Sequence, residues 1–208
     1  MATPEPSKTF AGGRIGFYGS YPQLRAMPDL PWPEVAFAGR SNVGKSSAIN
    51  RLLDVKGVAR VSKTPGRTQH INLFSVDHRM AVADLPGYGF AKVPDEVKAS
   101  WKGMVEGYFQ GREALKLVVV LIDSRHDVQT LDAELIWGLR QARIPILVLA
   151  TKLDKVGRSK QKNVLSKLGR EYKLQRSELI GFSSLEGTGI DETWNALEAG
   201  LGLPARKR

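Results

Sequence analysis

Residues 33–47 of this 208-residue chain read PEVAFAGRSNVGKSS, and this stretch decides the fold class. The apolar residues 35–38 predict a short buried strand, and residues 45–54 predict a helix. Between them, residues 39–46 match the pattern G-x-x-x-x-G-K-[ST], which forms a loop whose backbone N–H groups cradle phosphate. This mechanism needs a strand before the loop and a helix after it, because the helix N-terminus also attracts phosphate. The stretch therefore predicts a P-loop rather than a chance match at a glycine turn.

The predicted P-loop supplies the first candidate binding residues. We expect Lys45 to place its charge on the β- and γ-phosphates of a nucleotide, and Ser46 to offer its hydroxyl to Mg²⁺, which prefers oxygen ligands. The predicted nucleotide contacts in this segment are Gly39, Arg40, Ser41, Asn42, Val43, Gly44, Lys45, Ser46 and Ser47. A P-loop by itself does not distinguish a GTPase from an ATPase or a small-molecule kinase.

Strand and helix patterns alternate along the rest of the chain. Further strands are predicted at residues 71–76, 80–83, 115–122, 144–150 and 179–182, with helical patterns between most of them. This alternation predicts an α/β fold of three layers, a P-loop NTPase with a mostly parallel six-stranded sheet and helices on both faces. We expect an N-terminal extension (1–33) with one short strand packed on the main domain (34–202), followed by a basic tail (203–208). Helical spacing also predicts that Trp101, Trp137 and Trp194 pack in the core.

A second phosphate-binding motif follows the predicted strand 80–83. Asp84, Leu85, Pro86 and Gly87 form the pattern D-x-x-G. Asp84 can hold Mg²⁺ through a water molecule, and the N–H of Gly87 can meet the γ-phosphate, so the loop can sense hydrolysis. Taken alone, the four-residue pattern is more typical of a plain turn.

Two motifs after later strands favour guanine as the base. Thr151, Lys152, Leu153 and Asp154 follow strand 144–150. A carboxylate at Asp154 can accept hydrogen bonds from guanine N1–H and the 2-amino group, and adenine has neither donor. At roughly 1.5–3 kcal/mol for each charge-assisted bond, the two discriminate by about a hundredfold to several thousandfold. The Lys152 stem can lie along the base plane, and Phe182, Ser183 and Ser184 can offer backbone N–H groups to guanine O6.

The segment between the first helix and the next strand contains a candidate switch. Residues 64–68 read TPGRT, and Thr68 can give Mg²⁺ a second hydroxyl ligand when the loop closes on the γ-phosphate. The predicted nucleotide contacts here are Gly66, Arg67, Thr68, Gln69 and His70. The alternative is a flexible basic linker, because this pattern alone is typical of a turn.

The charge of the chain predicts a polyanionic partner. The formal net charge is +10, and residues 155–176 carry eight basic residues against the single acid Glu171. Such concentration favours binding of phosphate backbones, and a solvated helix surface is the alternative. The absence of cysteine excludes disulfides and thiol chemistry. The longest apolar run, residues 117–122, is too short to span a bilayer, and no signal peptide is recognisable, so we expect a cytoplasmic protein without membrane contact.

These motifs, in this order, resemble those of the EngB (YihA/YsxC) family of bacterial ribosome-biogenesis GTPases, which is related to the translation factors. The resemblance covers residues 33–201 and is carried by residues 33–47, by SKTPGRTQHIN (62–72), by ADLPGYGFAKV (83–93), by TKLD (151–154) and by FSS (182–184). Thr151 stands where most GTPases carry Asn, and Ser184 replaces the commoner Ala. The resemblance implies a Ras-like G domain and GTP and GDP binding with Mg²⁺. It also implies a switch in assembly of the large ribosomal subunit and its RNA, and a requirement in cell division and septation.

The expected hydrolysis is slow. Tyr88 follows Gly87 where many GTPases use Gln to orient the attacking water. The predicted catalytic residues are Lys45, Thr68 and Gly87. In similar GTPases an Asn at the position of Asn42 helps bind K⁺, so we expect either a K⁺ site at Asn42 or a role in shaping the loop alone. Competing hypotheses are a P-loop kinase or ATPase and a nucleotide-independent RNA-binding module. We expect a monomer.

Overall fold

The computed structural model describes residues 4–55, 57, 70–89 and 95–205. Eight strands are present in this part of the chain: β1 (Lys8–Phe10), β2 (Ile15–Tyr21), β3 (Glu34–Gly39), β4 (Ile71–Val76), β5 (Met80–Asp84), β6 (Leu115–Asp123), β7 (Ile146–Thr151) and β8 (Leu179–Gly181). Five α-helices accompany them: α1 (Lys45–Leu52), α2 (Asp95–Gly111), α3 (Thr130–Gln141), α4 (Arg158–Glu171) and α5 (Ile190–Gly200).

All eight strands form one sheet in the order β1-β2-β4-β5-β3-β6-β7-β8. The pairings β5-β3, β3-β6, β6-β7 and β7-β8 are parallel, and those from β1 to β5 are antiparallel. The six strands after residue 33 agree with the predicted α/β architecture, but the sheet has eight strands rather than the predicted six. The expectation of one short strand in the extension is wrong, because β1 and β2 both join the sheet edge. Glycines at positions 16 and 19 interrupt the alternating pattern of β2, which hid this strand from sequence reasoning.

Side chains on the two faces of the sheet bury two separate cores. On one face, Val35 and Phe37 of β3 pack in a cluster with residues of α1 and α5. On the other face, Ala36 and Ala38 pack in a cluster with residues of α2, α3 and α4. Every residue of β3 and β7 is buried, as expected for parallel strands covered on both faces. The fold is therefore the predicted three-layer arrangement.

The tryptophans differ in their environments. Trp194 is buried in the core, and its Nε1 donates a hydrogen bond to the Leu52 carbonyl at 3.1 Å. Trp137 is 66% exposed, so its predicted core position is wrong. The buried side of α3 contains Asp132, Ile136 and Leu139. Trp137 directly follows Ile136, and successive helix residues lie about 100° apart around the axis, so its side chain is turned away from the buried side. The side chain of Trp101 lies outside the described residues.

A buried polar cluster joins the N-terminal extension to α2. Arg112, directly after α2, pairs with the fully buried Glu34 at 2.9 Å and donates to the Pro28 carbonyl at 2.9 Å. The Tyr108 hydroxyl donates to the same Glu34 carboxylate at 2.5 Å. Each partner compensates the desolvation of the others, so the cluster tolerates burial only while it is complete. Within the described residues, no helix is long and apolar enough to cross a membrane.

Candidate nucleotide-binding site

The P-loop lies between β3 and α1, with Gly44 in the left-handed region (φ 103°) directly before the first helical residue. Gly39 is required for packing, since a Cβ there would lie 3.0 Å from the Leu121 carbonyl oxygen. No side chain caps the start of α1, so its first N–H groups are available to an anion. The loop and helix therefore fit a phosphate group.

Lys45 and Asp84 meet in the floor of the site. The Lys45 ammonium hydrogen-bonds to Asp84 Oδ1, and both side chains are largely buried. Asn72 approaches the other carboxylate oxygen at 3.4 Å. Ser46, the residue after Lys45, contributes a hydroxyl from the same helix turn. One hydroxyl and one carboxylate beside a phosphate site suit Mg²⁺, which completes its coordination with phosphate and water oxygens. Among the residues that the structure describes, no cluster of three or more His, Asp or Glu could hold a metal without the nucleotide.

The loop after β5 is docked on the P-loop. The Ser41 N–H donates to the Tyr88 carbonyl at 2.8 Å, and the Tyr88 N–H donates to the Gly39 carbonyl at 3.3 Å. Gly87 is so close to the P-loop that a Cβ there would lie 3.1 Å from Ser41 Oγ. This hydroxyl oxygen is buried and has no hydrogen-bond partner in the described structure. The D-x-x-G motif and the P-loop therefore meet, as the sequence predicts for groups that contact one terminal phosphate.

The motif of residues 151–154 begins at the last residue of β7, at the same edge of the sheet. The Thr151 hydroxyl donates to the Val43 carbonyl of the P-loop at 2.7 Å. Thr at this position thus bridges to the P-loop despite its short side chain. Lys152 donates to the Asn42 carbonyl at 2.7 Å and pairs with Asp123 at 2.9 Å. These contacts hold the Lys152 stem across the site, where it can cover one face of a planar base.

Asp154 is oriented by a serine from the last motif. Ser183 Oγ donates to Asp154 Oδ1 at 2.7 Å and accepts the Glu186 N–H at 3.0 Å. This hydrogen bond, assisted by Lys155 and opposed by partial desolvation, lowers the pKa of Asp154, so the carboxylate is ionised at neutral pH. An ionised carboxylate has about four acceptor sites, which leaves capacity for two N–H donors of guanine.

Two backbone N–H groups of the last motif already donate hydrogen bonds within the fold. The Phe182 N–H donates to the Ala150 carbonyl, and the Ser183 N–H donates to the Thr188 carbonyl. Neither N–H can therefore reach guanine O6 without breaking a bond, contrary to the expectation for these two residues. The Ser184 N–H makes no hydrogen bond within the described part of the chain, which leaves it as the donor of this motif.

Sequence reasoning missed Asp123, which lies at the end of β6. Burial disfavours its ionised form, but hydrogen bonds from Arg125 and Lys152 outweigh burial and hold the pKa of Asp123 well below its usual range. Asp123 thereby fixes the cationic end of Lys152. An acid ending a buried strand next to the P-loop strand was the available signal, because parallel strands end at one edge.

For several predicted residues, the described part of the chain gives no contact with this site. Gly66, Arg67, Thr68 and Gln69 lie outside the described residues, so their roles stay predictions. His70 is described and exposed, directly before β4. The K⁺ site at Asn42 stays a prediction, because residues 58–67, which would complete it, lie outside the described residues.

A sequence model of a family described as 50S ribosome-binding GTPase matches residues 34–152. Over 189 residues the chain is 47% identical to the probable GTP-binding protein EngB of Photobacterium profundum, covering 90% of this chain and 81% of that protein. Over 173 residues it is 42% identical to the probable GTP-binding protein EngB of Ligilactobacillus salivarius, covering 83% of this chain and 88% of that protein.

Solved structures share the fold. A crystal structure of a probable GTP-binding protein EngB has a TM-score of 0.68 and 27% identity, covering 81% of this chain and 98% of that chain. The structure of Era in complex with MgGDPNP and nucleotides 1506–1542 of 16S ribosomal RNA has a TM-score of 0.63 and 26% identity, covering 85% of this chain and 58% of that chain.

Proposed function

Because the chain belongs to the EngB family of GTP-binding proteins, which are GTPases, we propose that it acts as a GTP-dependent switch in assembly of the large ribosomal subunit. The observation that carries the proposal is the ionised Asp154, held by Ser183 at one end of a site whose other end is the P-loop. This pairing of a guanine-reading carboxylate with a triphosphate cradle disfavours an ATPase or a small-molecule kinase.

Hydrolysis in this proposal depends on positioned charge. Lys45 binds the β- and γ-phosphates, and the Gly87 N–H contacts the γ-phosphate from the docked loop. Mg²⁺, held by Ser46, Thr68 and, through water, Asp84, would neutralise developing charge when bound. Intrinsic turnover is slow because the Tyr88 hydroxyl is buried and donates to Asp132, so it does not orient the attacking water. A K⁺ ion beside Asn42 would supply the missing positive charge.

The partner surface is the exposed side of α4 and the turn that follows it. Six basic side chains there are exposed and unpaired within the described structure: Arg158, Lys160, Lys162, Arg170, Lys173 and Arg176. The helix begins four residues after Asp154, so this surface adjoins the base site. A basic surface of this kind suits the phosphate backbone of ribosomal RNA. Era, which has the same fold, is bound to ribosomal RNA in its complex.

We place this activity in the cytoplasm, in a monomer, on a precursor of the large subunit. Normal cell division and septation would then depend on the protein as they do in its family. The loops around Thr68 and Gly87 would be ordered by GTP and released with GDP, which changes the affinity for the precursor.

Nucleotide-dependent co-sedimentation tests this proposal. The chain is mixed with purified large subunits or their precursors and a non-hydrolysable GTP analogue, GDP or no nucleotide. We expect retention with the GTP analogue, weaker retention with GDP, and loss of this difference in Lys45→Ala. Equal retention in all states, unaffected by Lys45→Ala, would instead support a nucleotide-independent RNA-binding module.

A further inference from the structure

The residue after the D-x-x-G motif is tied to α3 by a buried hydrogen bond. Tyr88 is 5% exposed, and its hydroxyl donates to Asp132 Oδ1 at 2.8 Å. Asp132 is 1% exposed and belongs to the first turn of α3. The backbone of Tyr88 is also bound to the P-loop, through Ser41 and Gly39. Tyr88 is therefore fixed at its main chain and at the far end of its side chain.

Asp132 lies in a polar cluster that joins four parts of the fold. The Tyr172 hydroxyl, at the end of α4, also faces this carboxylate, and it accepts the Gln129 N–H at 3.0 Å. Arg40 of the P-loop donates to Gln129 Oε1 at 2.6 Å. The cluster therefore connects the docked loop, the P-loop and the ends of α3 and α4 by direct contacts.

A buried carboxylate is expensive unless hydrogen bonds compensate it. Burial raises the pKa of Asp132 to about 6, and the facing groups, Tyr88, Arg40 and Tyr172, only partly oppose this effect. An apolar residue would fill this place at less cost to stability. The buried carboxylate of Asp132 instead gives the Tyr88 hydroxyl a strong hydrogen-bond acceptor.

We propose that Asp132 is a positioning residue for GTP hydrolysis, which fixes Tyr88 and thereby holds the Gly87 backbone against the P-loop. Gly87 contacts the γ-phosphate, and GDP lacks this group. Loss of the Tyr88–Asp132 bond therefore lowers kcat and the affinity for GTP, and it leaves the affinity for GDP unchanged. The inference rests on the GTPase activity of the chain and does not require the ribosomal partner.

The protonation state of Asp132 determines the strength of this bond. Above about pH 6 the carboxylate is charged and accepts the Tyr88 hydroxyl strongly. Below this pH the carboxyl is neutral and the hydrogen bond is weaker. The rate of hydrolysis therefore falls as the pH decreases through about 6. An Asn at this position is an acceptor that does not titrate, so it separates the hydrogen bond from the charge.

The test compares Tyr88→Phe, Asp132→Ala and Asp132→Asn, with Asp127→Asn as a matched control at an exposed acid just before α3. Single-turnover GTP hydrolysis is measured from about pH 5.5 to pH 8, together with the dissociation constant of fluorescent GDP. Tyr88→Phe and Asp132→Ala should lower kcat about tenfold or more, as expected for loss of a hydrogen bond to a charged group, with GDP affinity unchanged within about twofold.

Asp132→Asn offers a neutral acceptor at every pH, so its kcat should stay near the lowered value that wild type has below pH 6. It should lack the decrease near pH 6 that wild type and Asp127→Asn share. Thermal melting with GDP verifies that each variant is folded. Unchanged or increased kcat in Tyr88→Phe would overturn the proposal. So would a wild-type pH profile in Asp132→Asn, or an equal loss of GDP affinity and kcat in every variant, which indicates a merely structural role.

Discussion

Replacing Lys162 by glutamine, compared with the same change at Lys167, tests whether α4 binds RNA phosphates. Both lysines lie on this helix, and they differ in their partners. Lys167 lies 2.5 Å from an Asp127 carboxylate oxygen and 3.9 Å from Glu171, so its charge is largely compensated. Lys162 is exposed and has no ionic partner within the described residues. Lys162 is therefore freer than Lys167 to replace a counterion on RNA.

The magnitude follows from counterion release. The logarithm of the binding constant falls with the logarithm of the salt concentration by about 0.7 for each phosphate neutralised on a single strand and about 0.9 on a duplex. Lys162→Gln should reduce the slope by one such increment and weaken binding about fivefold to eightfold at 0.1 M salt. Lys167→Gln should change the slope by much less.

Fluorescence anisotropy of a labelled fragment of large-subunit ribosomal RNA, titrated at several KCl concentrations, measures both quantities. Neither substitution involves a buried group, so both variants should unfold at the wild-type denaturant concentration. Identical slopes for the two variants would refute the assignment of this surface. An unchanged slope in Lys162→Gln alone would place the RNA on a different part of the chain.

Three further predictions concern the base site and the fold. Asp154→Asn should lower GTP affinity about a hundredfold or more and increase the affinity for xanthosine triphosphate, whose base offers an acceptor in place of the 2-amino donor; calorimetry that finds GTP still preferred contradicts the role of this acid. Thr151→Val should weaken GDP binding about twofold to tenfold by removing the bond to Val43, and Thr151→Asn should restore it; an equal loss in both variants speaks against this bond. Glu34→Ala should lower the free energy of unfolding by about 3–5 kcal/mol because it removes the buried carboxylate that pairs with Arg112 and accepts the Tyr108 hydroxyl, and a loss below about 1 kcal/mol in urea denaturation is incompatible with this reasoning.

The parts of the site that were predicted from the sequence are those formed by local patterns. The P-loop needs glycines and a lysine at fixed spacing, and Asp84 and Asp154 follow apolar runs whose length and composition are typical of buried strands. Because parallel strands end at one edge of a sheet, their motifs meet there.

The parts that were not predicted depend on contacts between distant segments. The strand β2 has no clear alternation, and it is defined by pairing with β4, where Phe17 packs on Phe74 with ring centroids 5.2 Å apart. Asp132 occupies a core-facing position on α3, and its partner Tyr88 lies 44 residues earlier. Trp137 is apolar but lies on the exposed side of its helix. A local pattern of residue types does not predict the pairing of β2, the partner of Asp132 or the exposure of Trp137.

Isothermal titration calorimetry with GTP and ATP, in the presence of Mg²⁺, tests the central claim most directly. The claim is that Asp154 reads the base while the loop around Lys45 binds the triphosphate. We predict that GTP binds at least about a hundredfold more tightly than ATP, as expected for two charge-assisted hydrogen bonds that adenine cannot make. Binding of ATP as tight as that of GTP, or tighter, would contradict the account.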